Sequence, residues 1–267
     1  MILLAALLAA APVTNHKSPA GPADPRSPQA RFSDCVKQSD ADPAAAVKAA
    51  KAWAGSGGGV LAGQCLGIAQ SAAGDWKAAA GAFSAAATIA DTLHDDRAPT
   101  LWVSAGNAAL AGDDAATARS AFGTALASAA MPAQLRGETF LDRARADVAQ
   151  GDLPSARADM NEALRLVPDD PMAWLLSATL ARRMSDGPRA TTDIREAMLR
   201  SPNEAPVLFE AGNIAASNGD MEEARRQWAR ARIADPQSDA GRGAAAELAA
   251  AGGDSTPAAK KAPTQGR

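Results

Sequence analysis

Toward the C-terminal end of the chain, large and small apolar residues recur with a period of 34 positions. Trp174, Ala178, Ala190, Ile194, Ala197 and Pro202 fall at the same offsets as Leu208, Gly212, Ala224, Trp228, Ala231 and Pro236. A fixed period of this length predicts a stacked solenoid, in which each unit buries its apolar face only against its neighbours. Looser copies precede the two clear ones. Phe140, Ala144, Ala156, Met160, Ala163 and Pro168 make one, Trp102, Gly106, Ala118, Phe122 and Ala125 another, and Leu66, Gly67, Ala79, Phe83 and Ala86 a third. Between the two apolar stripes of a unit stands a polar turn: Gly74-Asp75, Gly112-Asp113, Gly151-Asp152, Ser185-Asp186-Gly187 and Gly219-Asp220. A glycine there takes the left-handed conformation that ends one helix, and an aspartate caps the next. The two earliest copies lack the closing proline and are followed by longer connections, Thr92–Ala98 and Ala133–Arg136.

This pattern divides the chain into repeats at 60–93, 99–132, 137–170, 171–204 and 205–238. Residues 30–59 read as a degenerate starting unit: Asp42-Pro43 opens a helix, Ala46, Ala50 and Trp53 repeat the small-small-aromatic stripe, and a glycine-rich run ends it. Residues 239–251 read as a capping helix over the open end. Prolines among Ser, Ala, Gly and Asp mark 12–29 as a linker, and 252–267 is a similar tail; both are expected to be disordered. Residues 1–11 are apolar, too short to span a bilayer, and end in Ala9-Ala10-Ala11 before Pro12, as a secretory signal peptide would. Export, to a periplasm in a bacterial-type envelope, is the expectation; a cytoplasmic location is the alternative.

Composition narrows the fold further. The chain is 47% hydrophobic, much of it alanine, the best helix former, and β-branched runs expected of strands are missing. There is no tyrosine, and the five tryptophans and five phenylalanines are expected at core positions that fill the space between helices. Net charge is −3, and between Arg136 and Arg242 arginines alternate with acids. That alternation reads as solvated helix faces and excludes a basic footprint for nucleic acid.

The phased set of small residues, Gly-Asp turn, aromatic, alanine and closing proline resembles the tetratricopeptide repeat family, over about four fifths of the chain. The resemblance implies an all-α, right-handed α-solenoid of about five helix-turn-helix repeats with capping helices at both ends. It also implies an inner groove lined by the first helix of each unit. Carried over by register, the groove residues are Gln64, Ile68, Val103, Asn107, Leu141, Arg145, Leu175, Thr179, Arg182, Arg183, Phe209 and Asn213. Phe209 and Leu175 would be apolar anchors, and the arginines and asparagines polar hooks. Family members that clamp a peptide carboxylate set lysines beside asparagines; here Val103 and Phe209 stand near Asn107 and Asn213, which argues against that activity.

Cys35 and Cys65 are the only cysteines and fall in the first helices of the starting unit and of the first repeat. In an exported protein they are expected to form a disulfide; in a cytosolic one they would be buried free thiols. Other constellations carry less. Gly57-Gly58-Gly59-Val60-Leu61-Ala62 matches a loose dinucleotide fingerprint but follows a helix rather than a strand. Asp91, His94, Asp95 and Asp96 read as a solvated connection rather than a metal site. With His16 in the linker, no nucleophile, base and orienting group assemble on ordered elements, so no catalytic, cofactor or metal residues are assigned. The sequence thus points to a non-enzymatic adaptor or scaffold whose partner is a protein or peptide, with no nucleic acid and no transmembrane segment in the mature chain. A structural subunit of an envelope assembly, using convex or end surfaces, and the regulatory part of an enzyme complex are the other readings.

Overall fold

The computed structural model describes residues 27–253. The leader expected at residues 1–11, most of the linker and the tail from residue 254 lie outside the described residues. Among those described, thirteen helices and no strand are present. The starting hairpin is α1 (Pro28–Ala41) and α2 (Pro43–Gly55). Five helix pairs follow: α3 (Gly59–Ala72) with α4 (Trp76–Thr92), α5 (Ala98–Ala111) with α6 (Ala115–Leu126), and α7 (Ala133–Gln150) with α8 (Leu153–Leu166). The last two are α9 (Pro171–Arg183) with α10 (Gly187–Arg200), and α11 (Ala205–Ser217) with α12 (Met221–Ala234); α13 (Asp239–Gly253) packs on α11 and α12. Each helix packs on its neighbours in sequence, and α1 with α3, α5 with α7, α9 with α11 and α11 with α13 also touch, so the architecture is an all-α repeat solenoid.

One turn device builds every repeat. Asp75, Asp114, Asp152, Asp186 and Asp220 each cap the second helix of a pair, the side chain accepting the backbone N–H three residues on at 3.0–3.2 Å. The residue before each of them is left-handed: Gly74, Asp113, Gly151, Ser185 and Gly219, with φ between 59° and 85°. In the second unit the turn therefore lies one residue beyond the Gly112-Asp113 read from the sequence; Gly112 ends α5, Asp113 takes the positive φ and Asp114 caps. In the fourth unit Gly187 is already the first residue of α10.

Small residues on the first helices let aromatic side chains from the second helices lie flat against them. A Cβ added to Gly67 would stand 2.6 Å from the Phe83 ring, one on Gly106 2.5 Å from Phe122, and one on Gly212 would collide with Trp228. Phe122 is wholly buried and Trp228 nearly so. The expectation that all tryptophans are core residues holds for Trp53 and Trp228 only. Trp102 and Trp174 are half-buried, donating their indole N–H to Asp91 and to the Pro168 carbonyl, and Trp76 is 38% exposed. Trp76 is the first residue of α4, one turn before the buried stripe of Ala79, Phe83 and Ala86, and its side chain lies against Gly112 at the end of α5.

Two further differences have local causes. Ala133–Arg136 is the first turn of α7 rather than a connection, because Pro132 precedes the helix and Arg136 donates to the carbonyls of Leu126 and Ser128, tying that turn to the end of α6. The alternating charges are only partly solvated faces. Arg143 in α7 holds Asp159 in α8 through two hydrogen bonds of 2.7 Å, and Arg119 in α6 reaches Asp147 in α7 at 2.5 Å. Arg157 in α8 donates to the Ser177 hydroxyl and carbonyl in α9, and that hydroxyl donates to Asp193 in α10. Asp147, Asp159 and Asp193 are buried, so these arginines cross-brace successive helices. The contact to Asp147 Oδ1 is close but poorly angled for a hydrogen bond, and burial pushes this carboxyl pKa up against the pull of Arg119.

Candidate binding groove

The twelve groove positions separate into three groups. Val103, Leu141 and Leu175 are buried at 5–8% exposure within the apolar clusters that join the repeats; Val103 and Leu175 are packing residues, while Leu141 also lines a cavity on the groove face. Their side chains follow the inward stripe of each first helix, where the next helix pair covers them. Phe209, Arg182 and Asn213 are already engaged. Phe209 is covered by α13, where a Cβ on Gly243 would stand 2.8 Å from its ring. Arg182 holds the buried Glu210 at 2.7 Å and 3.2 Å. Asn213 accepts the Trp228 indole N–H at 3.0 Å and donates to Glu210 at 3.3 Å. The anchor-and-hook role assigned to Leu175, Phe209, Arg182 and Asn213 is therefore corrected: they hold the last two repeats together.

Gln64 and Ile68 are half-buried on α3, Ile68 against the core, and line none of the described cavities. Asn107, Arg145, Thr179 and Arg183 do come together, on the face made by α5, α7 and α9. Three adjoining cavities run along this face, and Arg145 lines all three. The first, about 440 Å³, lies between α5 and α7 with Asn107, Leu110, Ala111, Asp142 and Arg145. The second, about 410 Å³, is bounded by Glu138, Leu141, Asp142, Asp170, Met172 and Leu176. The third, about 260 Å³, is the apolar one: Ala144, Val148, Met160, Leu176 and Leu180 form its walls, with Thr179, Arg145 and Arg183 at its rim. It exists because α7 and α9 hardly meet directly and are joined through α8, whose Met160 is part of the lining.

The electrostatics of the groove are uneven. Asp142 and Arg145 form an ion pair of 3.1 Å within α7, and burial pushes the Asp142 carboxyl pKa up while Arg145 and Asn107 pull it down. Arg183 is exposed and has no carboxylate within ion-pair distance among the described residues. Met172 is 49% exposed at the acidic end. Register from the family pattern missed Leu110, Asp142, Val148, Met172 and Leu176, since it marks one face angle per helix while the splay between α7 and α9 uncovers the adjacent one. The sequence signal was the unbroken apolar run around Trp174, Leu175 and Leu176, too many large residues for a single inward stripe.

A cleft of about 470 Å³ between α6, α7 and α8 is larger, but Arg119, Arg143, Asp147 and Asp159 in it already pair with one another. At the other end, Cys35 and Cys65 are joined in a disulfide with Cα atoms 6.0 Å apart, linking α1 to α3. Asp95, in the connection read as solvated, accepts from Arg97, which lowers its pKa to about 2; no group of three or more metal-ligating side chains occurs among the described residues. No described helix is long and apolar enough to cross a membrane.

No family model matches the sequence, and a search of curated proteins finds no sequence relative. Solved structures do match by fold. One described as a functional characterization of Pseudomonas aeruginosa pilF superposes with a TM-score of 0.62 at 14% identity, over 82% of this chain and 99% of that one. YrrB, described as a TPR protein with an unusual peptide-binding site, gives 0.54 at 18% identity, over 73% of this chain and 96% of that one. MamA gives 0.54 at 13% identity, over 64% of this chain and 95% of that one. With its period, its turn chemistry and these likenesses, the chain has the tetratricopeptide-repeat fold.

Proposed function

We propose that this protein is a non-enzymatic scaffold that holds a protein or peptide segment along the face of α5, α7 and α9, and that it works in the periplasm after removal of residues 1–11. The observation that carries the reading is the run of three cavities joined at Arg145, with an apolar chamber of about 260 Å³ flanked by the unpaired Arg183. A preformed surface of this kind binds without the ordering cost of a flexible one. An aliphatic side chain of the bound segment enters between Val148 and Leu176, and an acidic group meets Arg145 and Arg183. The peptide-binding site named for YrrB is in line with this reading.

The test begins with a photo-reactive amino acid at Leu176 in the native host and identification of the crosslinked segment. Calorimetry with that segment as a synthetic peptide follows, on the wild type and on Arg183→Ala and Val148→Asp. Binding that weakens about tenfold or more in both variants supports the groove. Full binding by both variants rules it out. Cell fractionation of the full chain, with and without residues 1–11, separately tests the location.

A further inference from the structure

Among the exposed large apolar side chains described, two stand out by exposure and by register. Leu199 is 75% exposed and Ile233 76%, and they are 34 positions apart, so they occupy the same place on α10 and α12 of successive repeats. Both sit in the last turn of a second helix, away from the groove of α5, α7 and α9. The corresponding residue of the third repeat is Arg165, which pairs with Glu162, so the apolar pair is confined to the last two repeats. Arg230 of α12 donates to the Pro202 carbonyl, just beyond Leu199, and so binds the two repeats along this edge.

The surroundings are cationic. Arg195, one turn before Leu199, Arg230, one turn before Ile233, and Arg232 have no carboxylate within ion-pair distance among the described residues. Glu196 pairs with Arg200, and Glu222 and Glu223 pair with Arg226. Single exposed aliphatic residues need no explanation. Two of them at one register, beside the exposed guanidinium groups of Arg195 and Arg232, form a surface with a repeat.

We infer that this edge of α10 and α12 is a second docking surface, which takes an acidic amphipathic helix of a partner protein. α10 and α12 are packed through α11, and the hydrogen bond from Arg230 to the Pro202 carbonyl ties the two helix ends together. A partner helix that crosses both ends presents one aliphatic side chain to Leu199 and another to Ile233. Acidic residues beside them meet Arg195 and Arg232, which supplies the charge complementarity that selects this partner. Two aliphatic side chains are too few to insert into a bilayer, so a lipid surface is the disfavoured occupant.

The experiment places a photo-reactive amino acid at Leu199, or at Ile233, in the full chain in its native host, with the exposed Ser120 of α6 as the control position. The expected product is a crosslink to one protein through a segment with net negative charge and aliphatic residues at helical spacing. A synthetic peptide of that segment then binds the purified protein, and binding weakens about tenfold or more both in Leu199→Ser plus Ile233→Ser and in Arg195→Glu plus Arg232→Glu. Circular dichroism confirms that both variants are folded, and Arg183→Ala in the groove leaves this binding unchanged. Crosslinks to lipid, to a second copy of this chain or to a segment without acidic residues overturn the inference. So do crosslinks no stronger than those from Ser120, and so does peptide binding that survives either pair of substitutions.

Discussion

Breaking the Cys35–Cys65 bond is expected to release α1 and α2 while the rest of the solenoid stays folded. The bond spans a sequence separation of 30 residues and joins the first helix of the chain to the first helix of the first repeat. Beside the bond, α1 is held by a small contact surface: Cys35 and Ser39 are buried, Phe32 and Val36 are half-buried, and the Arg31 guanidinium stands 4.7 Å from the centre of the Trp53 ring. Ordering a helix of 14 residues costs more than these few contacts return. On the chain-entropy estimate a loop of this length contributes about 3.6 kcal/mol. The constraint acts on any state in which α1 and α2 detach while residues 60–253 stay folded, since Cys65 in the folded α3 then tethers the detached segment at Cys35. In a quasi-one-dimensional array the loss stays at the end unit. Hydrogen exchange read by mass spectrometry is the assay, comparing the oxidised protein with Cys35→Ser plus Cys65→Ser. Protection of the α1 and α2 amides is expected to fall by roughly two to three orders of magnitude, with α7 to α12 unchanged. Unchanged protection in α1, or an equal loss in all repeats, would refute the reasoning.

Three other outcomes follow from the same geometry. Asp113 and Ser185 hold left-handed backbone that three other repeats give to glycine, so Asp113→Gly and Ser185→Gly are each expected to stabilise by about 0.5–1 kcal/mol in urea unfolding. Arg182→Ala leaves Glu210 buried and unpaired and is expected to destabilise by about 2–3 kcal/mol, while Arg182→Ala plus Glu210→Gln recovers part of the loss; chemical denaturation of the two variants measures both. The Arg97 side chain, with its backbone N–H, lowers the Asp95 carboxyl pKa to about 2, below its unfolded value. Its contribution is therefore present above about pH 4 and lost as pH falls toward 2, so Asp95→Asn should flatten that part of the acid denaturation curve measured by circular dichroism.

Much of the fold was legible because the repeat is written in residue types with single structural meanings. Glycine before aspartate, small residues facing an aromatic and a closing proline each admit few conformations, and their phase sets the helix pairs. The exceptions were positions where another residue type takes the same conformation. Asp113 and Ser185 adopt the left-handed turn without being glycine, and the α7 turn from Ala133 to Arg136 is held by Arg136 across to α6. The groove was legible only in part. Asn107, Leu141, Arg145, Thr179 and Arg183 line it, but Val103 and Leu175 are packed inward, and Phe209 is covered by a helix whose seat on α11 no local pattern specifies.

The sequence by itself determined the helices, their pairing and their stacking order, since periodicity, caps and turns act over a few residues and the solenoid repeats them. Only the tertiary structure decided which charges are solvent-facing and which brace the repeats, because Arg143–Asp159 and Arg182–Glu210 link residues 16 and 28 positions apart across packed helices. It likewise decided where the groove opens. The apolar chamber comes from α7 and α9 standing apart over Met160, a distance set by how α8 wedges between them and not by any residue of the groove itself.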